Sequence, residues 1–159
     1  MKQMLALALT SLTLLASQAH AEKIGEVDTE FKLVGPDHKI VVEVFDDPRV
    51  QGVSCYLSRA KTGGVSGWLG LAEDKAEASV ACRQVGDIHF TGPLPLKEEV
   101  FSERASIVFK HLRVVRMVDP NPKHNTLLYL VYSDRLVDGS PKNSLTAVPV
   151  PAAIRIPLK

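Results

Sequence analysis

Read for polarity alone, the chain opens on an uncharged, largely apolar run from Met4 to Leu15 and then changes character. Beyond it, apolar and polar residues alternate with a period of two, and β-branched residues abound, which is the pattern of half-buried strands. Lys39 to Phe45 reads as a strand ended by an Asp46-Asp47-Pro48 turn. Val53, Cys55 and Leu57 alternate with Ser54, Tyr56 and Ser58, giving a second strand with one apolar face. Ala78 to Val85 sets Val80 and Cys82 on a common face and predicts a third. Ser106 to Val118 is a longer run whose apolar phase shifts between Phe109 and Leu112, where a β-bulge or bend is expected. Asp119-Pro120-Asn121-Pro122 breaks it, and Thr126 to Ser133, apolar on both faces, predicts a central strand in a hairpin with its predecessor. Asp138-Gly139-Ser140-Pro141 turns the chain again before a last strand from Ser144 to Val150. Pro149, Pro151 and Pro157 oppose ladder pairing, so residues 151–159 read as an irregular Pro-rich tail, an edge or a loose arm. One window, Leu69 to Ala78, favours a short helix by propensity. The expected fold is therefore mainly β: a single antiparallel domain over residues 22–150, a sandwich or a partly open barrel.

The apolar opening changes the picture of where the domain works. Lys2 precedes the run, and Ala19-His20-Ala21 follows it with small residues at the −3 and −1 positions of a signal peptidase site. That three-part order predicts a cleavable Sec-type signal peptide over residues 1–21, cut after Ala21. A membrane anchor needs roughly 20 apolar residues, and the run breaks at Ser17-Gln18. No cysteine near the cut offers a lipid anchor, and no Arg-Arg pair signals twin-arginine export. The expected compartment is the periplasm, with no stable membrane anchor.

Removing the leader leaves 138 residues, 18 of them basic and 18 acidic. Formal neutrality argues against a nucleic-acid partner, which demands a basic face. The chain has only two cysteines, Cys55 and Cys82. In an oxidising compartment such a pair is expected to form a disulfide, and a bridge closing this loop would contribute about 3.6 kcal/mol on the chain-entropy model. A metal site needs more ligands than these, and the Cys-x-x-Cys of a redox catalyst is missing.

Candidate chemistry is sparse. Ser58-Arg59-Ala60-Lys61-Thr62-Gly63-Gly64 contains Ser-x-x-Lys and Lys-Thr-Gly, two signatures of penicillin-recognising serine enzymes. One lysine would have to serve both, and on a strand Ser58 and Lys61 point to opposite faces. The glycine-rich stretch Gly63 to Gly70 has neither a phosphate-loop ending nor dinucleotide-site spacing. It carries Trp68, the single tryptophan, which either packs on the core or anchors a partner. His38, His89, His111 and His124 form no pair at metal-ligand spacing; Asp46 and Asp47, or Asp134 and Asp138, lack the periodicity of a calcium loop. Turn chemistry accounts for them.

Several blocks in order resemble the CreA family of small bacterial periplasmic proteins. They are Gly25 to Thr29, Val34 to Glu43, Phe45-Asp46-Asp47-Pro48, Cys55-Tyr56, Ser58 to Gly64, Leu69 to Asp74, Cys82 with Gln84-Val85-Gly86, and Ser140 to Ser144 running into Ala147 to Val150. The segment from His89 to Glu99 and the tail after Pro151 fit less distinctly. The resemblance strengthens the periplasmic expectation and the cysteine pairing. It implies a link to carbon-source control through the family's gene neighbourhood, but no biochemical activity.

The sequence thus predicts a non-enzymatic periplasmic protein that binds a protein partner or small ligand, with no cofactor and no metal. Asp37, His38, Arg59, Lys61 and Trp68 are the residues nominated for binding. Two alternatives stand beside it: a small hydrolase or transferase using the 37–39 turn and the 58–64 segment, and an envelope stress protein whose disulfide reports oxidation.

Overall fold

The computed structural model describes residues 20–30, 38–61, 78–104, 111–134 and 142–159. Within them run strands β1 (Glu22–Glu30), β2 (His38–Asp46), β3 (Val50–Lys61), β4 (Ala78–Phe90), β5 (Lys97–Arg104), β6 (His111–Val118), β7 (Thr126–Ser133) and β8 (Asn143–Pro149). They form two four-stranded antiparallel sheets, β1-β2-β3-β4 and β5-β6-β7-β8. The mainly β reading holds; neither sheet closes into a barrel, and among the described residues there is no helix. The helical window from Leu69, the 138–141 turn, Asp37 and Trp68 lie outside the described residues, while Ala78 opens β4.

Alternation does the sorting. Val41, Glu43 and Phe45 on β2, and Val53, Cys55, Leu57 and Arg59 on β3, are buried between the sheets. From the other sheet come Leu112, Val114, Arg116 and Val118 on β6, with Leu127, Tyr129 and Val131 on β7. The layers meet in a shared core where the Phe45 and Phe101 rings stack at 4.7 Å. On one side β4 and β8 come close, with Ser79 Oγ 3.4 Å from Ser144 Oγ. Cys55 and Cys82 are directly opposed across β3 and β4 and joined by a disulfide, both fully buried.

Bulges shape the edges. Gly52 sits at a register shift in β3 with φ of 81°, and a Cβ there would lie 2.3 Å from the Asp87 carbonyl oxygen. Only glycine fits that crossing. The Phe109–Leu112 bulge falls largely outside the described residues. The shift seen in this pair lies on the partner strand, between Glu99 and Phe101, while β6 and β7 pair in regular register.

The tail corrects the expectation of a loose arm. It has no ladder of its own, as its prolines dictate, but it is tied down. Leu94 N donates to the Pro157 carbonyl at 2.7 Å, Lys159 N donates to the Leu94 carbonyl at 3.0 Å, and Ile156 joins the core. Proline lacks a donor but keeps its acceptor, and the β4–β5 connection uses it.

Antiparallel alternation gives the sandwich two distinct ends. The turn at residues 47–49, the β4–β5 connection at 91–96, the β6–β7 loop at 119–125 and the tail gather at one. The last residues of β3 and β5 meet at the other, where Arg59 reaches Glu103.

Candidate functional site

Each end holds a buried arginine. At the first, Arg116 is wholly buried on β6 and bonds both oxygens of Asp47, Nη1 to Oδ1 at 2.6 Å and to Oδ2 at 2.8 Å. Its Nη2 bonds Glu98, which also pairs with Arg49 at 3.3 Å. Asp47 Oδ1 further accepts the Arg49 and Val50 backbone N–H groups, and Oδ2 accepts the Tyr129 hydroxyl at 2.9 Å. Burial, then the neighbouring Asp47 charge, pushes the Tyr129 hydroxyl far above its ordinary range, so it remains a donor. Asp47 is more than the turn residue its sequence suggested: one carboxylate caps the β2–β3 turn and locks it to the second sheet. A charge so enclosed, with every acceptor oxygen engaged, is structural.

At the other end Arg59 is placed differently. Its Nη2 lies 2.9 Å from Glu43 Oε1 and 2.8 and 2.7 Å from the two oxygens of Glu103. Glu43 Oε2 sits 2.7 Å from the same nitrogen but outside hydrogen-bonding direction. Lys61 Nζ reaches Glu43 Oε1 at 3.4 Å. Burial pushes the Glu43 carboxyl up, but the hydrogen bond and charge of Arg59, with Lys61, outweigh it and hold it below its usual range. Burial opposes the Arg59 charge in the same way, and its two carboxylates more than restore it. Here the cluster meets solvent: the Glu103 and Lys61 side chains are 39% and 36% exposed, against 9% for Arg59.

Arg59 also lines a groove of about 530 Å³ with Ile40, Ser58, Ala60, Ala78, Ser79, Lys142 and Asn143. A lining of small apolar residues, two serines, Asn143 and the cationic residues Arg59 and Lys142 suits orientation of a small polar ligand. Of the nominated residues, the structure brings Arg59 and Lys61 into one cluster through Glu43. His38 opens β2 beside it and is half-buried, its carbonyl accepting the Thr29 hydroxyl. Lys39, one residue on, is the cross-strand partner of Lys61, so the 38–39 and 58–61 stretches do converge. Within the described residues Ser58 and Lys61 do not pair with each other, because Ser58 faces the groove while Lys61 Nζ turns to Glu43.

Glu43 and Glu103 were not nominated, nor were Asp47, Arg116 and Tyr129. The signal was phase: Glu43 falls on the face of Val41 and Phe45, and Arg116 on that of Val114 and Val118. A charge in an inward register demands a partner charge. Among the described residues, no group of three or more His, Cys, Asp or Glu could hold a metal ion.

Residues 24–153 match the CreA protein family. The chain belongs to that family. It is similar to proteins named Protein CreA from Escherichia coli (strain K12), Escherichia coli O6:H1 and Escherichia coli O157:H7. Each is 57% identical over 144 residues, 88% of this chain and 90% of the relative. No solved structure matches the chain. The family assignment covers every strand except the first two residues of β1, and both cysteines lie within it. It brings no activity with it.

Proposed function

We propose that this CreA-family protein is an exported, non-enzymatic envelope protein that binds a ligand at the Arg59 end of the sandwich. The observation that carries the reading is the groove that the largely buried Arg59 lines together with small polar and apolar residues. Arg116 at the opposite end is sealed, so exposure distinguishes a binding device from a brace. Export is supported by the leader pattern of residues 1–21 and by the disulfide, which persists in an oxidising compartment. The oxidation-reporting alternative fits less well, because both half-cystines are buried and an attacking thiolate needs access.

The test uses the full chain expressed in a bacterium and the protein recovered from the periplasm. Native mass spectrometry is expected to find a bound small molecule on the exported protein and none on an Arg59→Gln variant exported equally well. Equal occupancy in both, or an empty wild-type protein, would count against the groove. N-terminal sequencing of the same sample is expected to begin at Glu22; a start at Met1 would count against export.

A further inference from the structure

The end that carries the sealed arginine also carries a second concavity. A cleft of about 590 Å³ separates the β6–β7 loop from the tail. The loop contributes Pro120, Pro122 and Lys123 to its lining, and the tail contributes Ile154, Arg155 and Pro157.

Its walls are fixed in advance. Asn125, in the left-handed region at φ 41°, places Nδ2 within 3.0 to 3.2 Å of the carbonyls of Val150, Pro151 and Ile154. Its own carbonyl accepts Val150 N at 2.8 Å, so one residue staples loop to tail. The loop is braced internally: Asn121 N donates to Asp119 Oδ1 at 2.9 Å and Lys123 N to Asn121 Oδ1 at 3.1 Å. A preformed cleft spares a ligand the cost of ordering its site.

Its charge is one-sided. Asp119, the only acid among the described residues that line the cleft, is already engaged: Oδ1 by the Asn121 N–H and Oδ2 by His124 Nδ1 at 2.5 Å. Among the described residues, no carboxylate pairs with Lys123 or Arg155, and both are exposed. Among the described residues, Lys123 and Arg155 thus line, without carboxylate partners, a cleft that prolines and isoleucines also line.

We propose that this cleft is a second binding site, for a small organic anion with an apolar body. The carboxylate meets Arg155 and Lys123, and the body lies between Pro120 and Pro122 on one side and Ile154 and Pro157 on the other. The site is distinct from the Arg59 groove and shares no lining residue with it.

The test is an NMR titration of the exported protein with benzoate, benzamide and inorganic phosphate. Benzoate is expected to give saturable shifts at the amides of Lys123, Asn125, Ile154 and Ile156. Benzamide, isosteric but neutral, and phosphate, charged but without a body, should each bind at least about tenfold more weakly, a difference of roughly 1.4 kcal/mol. A Lys123→Gln, Arg155→Gln double variant, altered only at exposed side chains, should keep its thermal midpoint and lose benzoate affinity by about the same factor. Benzamide or phosphate binding as tightly as benzoate overturns the proposal, as does a double variant that binds normally or a wild-type protein without saturable shifts. Shifts confined to Ser58–Ala60 and Ala78–Ser79 overturn it too, while leaving the Arg59 groove standing.

Discussion

Arg116 and Arg59 are both buried, both lie on inward positions of central strands, and both are paired with two carboxylates, yet they do different work. Arg116 is enclosed on all sides and its partner Asp47 is fully buried, bonded to a tyrosine hydroxyl and two backbone amides. Arg59 shares one nitrogen between Glu43 and a Glu103 that reaches water, beside a groove. The difference lies in what can replace a lost partner. At the sealed end Arg116 and Asp47 are both out of reach of water, so that pair acts as a lock between sheets. At the open end water, Lys61 or an incoming ligand can replace a partner, so the same residue type is free to exchange partners.

The sharpest way to break the comparison is Arg116→Met. It leaves the Asp47 carboxylate buried without a counter-ion and should cost about 3–5 kcal/mol in urea unfolding. If the loss is under about 1 kcal/mol, the sealed pair is not a lock. Removing the disulfide comes next: the Cys55→Ser, Cys82→Ser protein should lose about 2–5 kcal/mol. Because the bridge lies midway along β3 between the two ends, both clusters should weaken together while keeping their order, as their amide exchange would report. In the folded wild-type protein neither half-cystine should react with added thiols before unfolding, since both are buried.

Arg59→Met sharpens the contrast from the other side. With Lys61 still beside Glu43, and Glu103 able to turn to solvent, the expected loss is smaller, about 1–2 kcal/mol. The mildest effect is with pH. The folded Glu43 carboxyl is held below its ordinary value of 4.5, so its contribution is complete above that value and is lost as pH falls through the folded one. A Glu43→Gln protein should therefore show a flatter acid limb when stability is followed from pH 6 to pH 3. An unchanged limb would mean that the Arg59 pairing contributes nothing.

Much of the sandwich was legible in the chain. Strands with one buried face announce themselves by alternation: the run predicted at 126–133 matches β7, and those at 39–45, 53–58, 78–85 and 144–150 lie on β2, β3, β4 and β8. The strands missed, β1 and β5, are both sheet edges. The described side chains of β1 stay largely exposed, and β5 buries only Val100 and Phe101 among charged neighbours. Unlike the edge β8, these two carry charges together with register shifts toward their only sheet neighbours, a device that keeps edges from pairing with other chains and here erases the periodic signal. The sites were harder to read. Arg59 and Lys61 were chosen for motif resemblance, although the feature that matters is the inward register of Arg59 opposite Glu43 and Glu103. The cleft beside the tail depends on Asn125 reaching three carbonyls some 25 residues away, and no local pattern encodes such a reach.

Both arginines bury an Nε that has no hydrogen-bond partner among the described residues, and those two protons allow the most direct test. Their exchange with solvent can be followed by NMR under native conditions. The Arg116 Nε–H should exchange as slowly as the best-protected core amides of β6 and β7, through global unfolding, and the Arg59 Nε–H at least about tenfold faster, through local opening. Equal protection of the two, or slower exchange at Arg59, would contradict the division of this sandwich into a sealed end and an open one.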